Sequence, residues 1–123
     1  MRVLLVDDEV DLASALAERL EMREIETDWV SSGADAIKRV EEKKYDVAVL
    51  DVKMPGISGL DLKARLERID PGVKFIFLTG YGSEIDFKEL TCRAGETSCL
   101  VKPIDINDLI GMMNSLVEKP ERG

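Results

Sequence analysis

Five times along this chain a short apolar run gives way to an amphipathic stretch, and no other feature constrains the fold as tightly. Arg2–Val6 and Val47–Leu50 are apolar at successive positions, the pattern of strands covered on both faces. Ile25–Val30 alternates through Ile25, Thr27 and Trp29, which predicts a strand nearer a sheet edge. Val73–Leu78 and Ser98–Val101 complete the set of strands. Apolar spacings of three and four predict helices over Glu9–Met22 (Ala13, Leu16, Leu20) and Ala34–Glu42 (Ala34, Ile37, Val40). The same spacing predicts a helix after Gly59 (Leu62, Leu66, Ile69) and one over Ile106–Val117, with Leu109, Ile110, Met113, Leu116 and Val117 facing inward. A fifth helix, Glu84–Ala94, has a poorer stripe from Ile85, Phe87 and Leu90. Ser31-Ser32-Gly33, Met54–Gly59 and Asp70-Pro71-Gly72 supply caps, a loop and a turn. Strands alternating with helices require right-handed crossovers and hence a parallel sheet. The expected fold class is α/β: a doubly wound, five-stranded parallel sheet with five helices in three layers.

Composition narrows the functions. At 123 residues the chain has room for one domain, expected over 1–118, with 119–123 a tail or linker stub. Twenty-five acidic against 17 basic side chains give a net charge of −8, which disfavours direct nucleic-acid binding. No apolar run approaches the roughly 20 residues that span a bilayer, so no membrane contact is expected. The first residues, Met-Arg-Val-Leu-Leu-Val-Asp-Asp-Glu, do not resemble a signal peptide, and a cytoplasmic home follows as the expectation. Cys92 and Cys99 are then expected to stay reduced. The absence of histidine excludes every Ser-His or Cys-His pair within these residues, leaving carboxylates, lysine and hydroxyls for any chemistry.

In doubly wound sheets, sites form at the carboxyl ends of the strands. Those ends read Asp7-Asp8, Asp51, Thr79 and Lys102. Any one of them taken alone is an ordinary polar strand terminus or helix cap. Four on one sheet edge are not. Two carboxylates about 4 Å apart repel by about 4 kcal/mol at an effective dielectric of about 20, so such a cluster needs a cation. Hard oxygen donors point to Mg²⁺. A lysine and a hydroxyl beside the metal add charge neutralisation and hydrogen bonding for a phosphoryl group. Asp51 stands alone at the end of a central strand and is the expected nucleophile, forming an acyl phosphate, while Asp7 and Asp8 share the metal.

Val-Asp-Asp-Glu at 6–9, Val-Leu-Asp-Val-Lys-Met-Pro-Gly-Ile-Ser-Gly at 49–59, Leu-Thr-Gly-Tyr-Gly at 78–82 and Val-Lys-Pro at 101–103 resemble the receiver domain of two-component response regulators. The resemblance runs nearly end to end, in order. It implies a flavodoxin-like fold of strand order 2-1-3-4-5, with Asp51 as phospho-acceptor. It further implies Mg²⁺ held by Asp7, Asp8, Asp51 and the backbone carbonyl of Lys53. Thr79 would be the switch hydroxyl, and Lys102, before a cis Pro103, would contact the phosphoryl group. The phosphate would come from a histidine of a sensor kinase or phosphotransfer protein. Output would pass to an effector that the sequence does not name, with dimerisation on phosphorylation as one mode. The protein would be a signalling receiver, catalysing only its own phosphorylation and dephosphorylation.

One position departs from the family. An aromatic residue usually lies three places before the lysine, and here that place holds Cys99, read as a small half-buried core residue. Thr79 would then move without coupled aromatic burial. Lys53 and Tyr81, two residues past Asp51 and Thr79, would flank the attacking water. Trp29 is expected to pack on the sheet, and Glu41–Lys44 to be a solvated helix end. Three other functions compete. A haloacid-dehalogenase-like phosphatase needs a second Asp where Lys53 stands. A flavodoxin needs a phosphate loop where Asp7-Asp8-Glu9 would repel phosphate. A receiver-like module that takes no phosphate is opposed by the intact set of acids, hydroxyl and lysine.

Overall fold

A computed structural model describes residues 1–80 and 98–118. The strands are β1 (Arg2–Val6), β2 (Glu26–Val30), β3 (Val47–Asp51), β4 (Lys74–Thr79) and β5 (Ser98–Val101). The helices among the described residues are α1 (Val10–Met22), α2 (Gly33–Glu42), α3 (Gly59–Ile69) and α4 (Ile106–Glu118). All strand pairs are parallel and the order is β2-β1-β3-β4-β5, as expected. The helix expected over Glu84–Ala94, together with Tyr81, Cys92 and the tail 119–123, lies outside the described residues.

The unbroken apolar runs follow from burial on both faces. Leu4, Val6, Ala48, Leu50, Phe75 and Phe77 point to one core, which they share with Ala36 and Val40 of α2 and Leu62 and Leu66 of α3. Their neighbours Val3, Leu5, Val47, Val49, Ile76 and Leu78 point to the other, against Leu16 and Leu20 of α1 and Leu109 and Met113 of α4. The sheet is therefore the middle of three layers. β2 is an edge strand, as its alternation suggested, and Trp29 packs half-buried against the α1/α4 core.

Several faces depart from the sequence reading. In α2 the buried stripe is Gly33, Ala36 and Val40, while Ala34 is exposed. The helix begins one residue early, capped by Ser32, whose Oγ accepts from Asp35 N–H at 3.1 Å, and at about 100° per residue Ala34 lies well off the centre of the face that Gly33, Ala36 and Val40 share. Ile69 and Val117, expected inward, are 38% and 40% exposed, each near the last turn of its helix, past the edge of the core. Lys43 is not merely solvated. Its ammonium donates to Asp28 at 2.9 Å, beside the Tyr45 hydroxyl, which donates to the same oxygen, and Arg39 lies 3.5 Å away. Burial alone would raise the Asp28 carboxyl, but the bonds from Tyr45 and Lys43 and the nearby cations hold it below its usual value. Burial and the Asp28 charge push the Tyr45 hydroxyl up to about 12.

α1 ends without glycine. Ile25 N–H donates to Leu20 O and Glu24 N–H to Glu21 O, closing a Schellman turn with Glu24 at φ 66°.

Candidate functional site

The strand order reverses around β1 and β3, and there the two acidic strand ends meet. Backbone bonds tie the ends together. Asp7 N–H donates to Val30 O at 3.2 Å, Val52 N–H to Leu78 O at 3.0 Å, and Lys102 N–H to Thr79 O at 2.8 Å. One edge of the sheet thus carries Asp7, Asp51, Thr79 and Lys102 on four neighbouring strands. Asp7, Asp51 and Thr79 are 2%, 6% and 1% exposed, while Asp8 is exposed.

An oxygen from each of Asp7, Asp8 and Asp51 lies within 4.8 Å of the others. Lys102 reaches into this group with Nζ 3.1 Å from Asp7 Oδ2 and 3.5 Å from Asp51 Oδ1. Asp7 Oδ1 accepts from Glu9 N–H at 3.0 Å, which fixes the carboxylate and turns Oδ2 inward. That Oδ2 is buried and has no hydrogen-bond partner, its Lys102 contact being an ion pair off the bonding direction. A buried carboxylate oxygen without a donor, facing two further carboxylates, fits a small hard cation.

The charges act on each other. Burial first, then the charges of Asp7 and Asp8, push the Asp51 carboxyl up to about 7 against the pull of Lys102. Burial alone would lower the Lys102 ammonium. The hydrogen bond to Glu9 and the close carboxylates of Asp7 and Asp51 outweigh burial and raise it well above its usual value.

A family model described as the response regulator receiver domain matches residues 3–114. The chain belongs to this receiver family. It is similar to sporulation initiation phosphotransferase F of Bacillus subtilis, 29% identical over 108 residues, covering 88% of this chain and 86% of that protein. A receiver domain structure from Clostridium thermocellum superposes with a TM-score of 0.86 at 29% identity, covering 96% of this chain and 94% of that one. A response regulator from Burkholderia pseudomallei, solved with a phosphorylated aspartic acid, a calcium ion and citrate, gives a TM-score of 0.81 at 25% identity and covers 95% of this chain and 69% of that one. Against transcriptional regulatory proteins of Bacillus subtilis and Haemophilus influenzae, the chain spans only 33% and 51% of the relative's length.

In this receiver, Lys53 lies exposed in the loop after β3, two residues past Asp51, and the Lys102–Pro103 peptide is cis. Cys99 lies half-buried opposite Phe77 and packs on the α2/α3 core, as read from the sequence. Its sulfur is disulfide-bonded, which corrects the expectation of a reduced thiol there. That expectation rested on compartment, whereas sulfur pairing follows from proximity in the fold.

Two residues of the receiver's edge escaped the sequence reading. Glu9 Oε1 accepts from Lys102 Nζ at 2.8 Å across 93 positions of sequence, and only its place directly after the acid pair hinted at this. Gly59 N–H donates to Val52 O at 3.0 Å, and a Cβ there would sit 2.9 Å from the Asp51 carbonyl oxygen and 3.1 Å from Val52 Cα. Without a side chain, the start of α3 seats directly on the end of β3. Ser58, whose Oγ accepts from Asp61 N–H at 3.2 Å, caps that helix.

Proposed function

We propose that this receiver takes a phosphoryl group onto Asp51 from a phosphohistidine of a sensor kinase or phosphotransfer protein, in a Mg²⁺-dependent reaction. The observation that carries the reading is the convergence of Asp7, Asp8 and Asp51 with the Lys102 ammonium around the unpartnered Asp7 Oδ2. A carboxylate oxygen of Asp51 attacks phosphorus, the bond to the donor imidazole nitrogen breaks, and the imidazole leaves and is reprotonated. Asp51 then carries an acyl phosphate, later hydrolysed by water. Lys102, already 3.5 Å from Asp51, pairs with one phosphoryl oxygen, and the Thr79 hydroxyl donates to another. Asp7, Asp8, Asp51 and the Lys53 carbonyl would hold the ion, whose charge offsets the repulsion between these acids and the incoming phosphoryl oxygens. These 123 residues contain no histidine, so the donor lies outside them.

The phosphorylated aspartic acid and bound calcium of the Burkholderia relative support the reading. The signalling unit spans 1–118 with 119–123 as tail, acts in the cytoplasm, and switches between inactive and active conformations for an effector, dimerisation on phosphorylation being one route. Among the described residues no helix is long and apolar enough to cross a membrane. The test is incubation with acetyl phosphate and Mg²⁺ followed by intact-mass measurement. One added phosphate, lost in Asp51→Asn, is expected. No adduct in the parent, with no beryllofluoride binding as a control for fast hydrolysis, would instead favour a module that signals without phosphate.

A further inference from the structure

Glu9 is the residue of this edge that neither the acid cluster nor the acceptor chemistry uses. It occupies the N-cap of α1, its carbonyl accepting from Ala13 N–H at 3.0 Å, yet its side chain makes no capping bond. Short side chains normally serve that position, and leaving it uncapped forgoes helix stability. The Glu9 carboxylate instead crosses to Lys102. The ammonium faces three carboxylates, Glu9 at 2.8 Å, Asp7 at 3.1 Å and Asp51 at 3.5 Å. Its shortest contact is thus with the most exposed acid, away from the acceptor, Glu9 being 62% exposed against 2% and 9% for the side chains of the other two.

We infer that Glu9 is a positioning residue that latches Lys102 toward the outer side of the cleft in the unphosphorylated receiver, its ammonium held more closely by Glu9 than by Asp51. The inference rests on Asp51 being the phospho-acceptor. For Lys102 to turn to a phosphoryl oxygen, the contact with Glu9 must loosen, so Glu9 weights the resting arrangement and slows entry to the phosphorylated one. Being exposed to solvent, the pair is worth a modest factor.

The test is a double-mutant cycle of Glu9→Gln and Lys102→Gln, with two readouts. In metal-free protein, urea unfolding is expected to show the two positions coupled by about threefold to fivefold in the unfolding equilibrium, the upper part of the range of an exposed ion pair. With acetyl phosphate and Mg²⁺, Glu9→Gln is expected to speed labelling of Asp51 by about the same factor in the parent and by less than about 1.5-fold in the Lys102→Gln background. An equal gain in both backgrounds would mean that Glu9 merely repels the anionic donor, which overturns the latch. Slower labelling in Glu9→Gln, or absent coupling in the metal-free protein, overturns it as well. A parent chain that takes neither phosphate nor beryllofluoride overturns the acceptor reading itself, and the latch with it, while an intact Glu9–Lys102 coupling in urea would show that the contact exists regardless.

Discussion

Asp51→Asn should make the metal-free receiver more stable, and only above a definite pH. The folded carboxyl is raised from 3.8 to about 7, so between these values the unfolded chain gives up a proton that the folded chain keeps. Stability contributed by Asp51 is therefore complete below about pH 4 and lost as pH rises through about 7, the reverse of a salt-bridged aspartate. Taken at face value, the shift corresponds to at most about 4 kcal/mol at pH 8. Water and salt reach the mouth of the cleft, where Asp8 and Glu9 are exposed, and screening reduces the expected effect to about 1–2 kcal/mol. Asparagine keeps the shape and removes the charge, so the variant should gain that amount at pH 8 and almost nothing at about pH 3. Urea unfolding in EDTA measures it: with a slope of about 2 kcal/mol per molar, the midpoint should rise by roughly 0.5–1 M at pH 8. Adding Mg²⁺ should stabilise the parent more than the variant, because the parent presents one more carboxylate to the cation. Equal midpoints at pH 8 in EDTA, or a gain that persists unchanged at about pH 3, would refute the assignment of a strained carboxylate to Asp51.

Three further changes probe how the fold holds this edge. Gly59→Ala forces a Cβ against the Asp51 carbonyl and Val52 Cα, and should destabilise the receiver by about 1–3 kcal/mol in thermal or urea unfolding. Glu24→Gly relieves the positive φ at the end of α1 and should stabilise by about 0.5–1 kcal/mol in the same assays; a loss would mean that the Schellman turn is not the native ending. Tyr45→Phe removes one donor from Asp28 while Lys43 and Arg39 remain, at a cost of about 1–2 kcal/mol. In the parent, alkaline difference absorbance should show one tyrosine ionising only near pH 12, and its appearance near pH 10 would contradict the buried hydrogen bond.

What could be read from the sequence, and what could not, divides along sequence distance. Each strand declared itself through residues that are neighbours in the chain: β1, β3 and β4 through the apolar run that burial on both faces demands, and the edge strand β2 through its alternation. The acidic site followed from the same signal, since topology alone carries the ends of β1 and β3 to one edge. Helix faces are harder to place: in α2 Ala36, not Ala34, lies inside, because two alanines and a glycine leave the centre of the apolar stripe undefined to within a residue or two. Glu9 and Gly59 were hidden for another reason. A glutamate after two aspartates and a glycine before a helix are both ordinary locally; their roles exist only once Lys102, or the backbone of Asp51, arrives from elsewhere in the chain. The acids of the proposed site can thus be read from strand ends. The Glu9–Lys102 contact, which we propose sets the resting position of Lys102, exists only in the assembled edge. If the Glu9 latch holds, receivers sharing the same acids, hydroxyl and lysine would differ in how readily they take phosphate without any change in the residues proposed to perform the transfer.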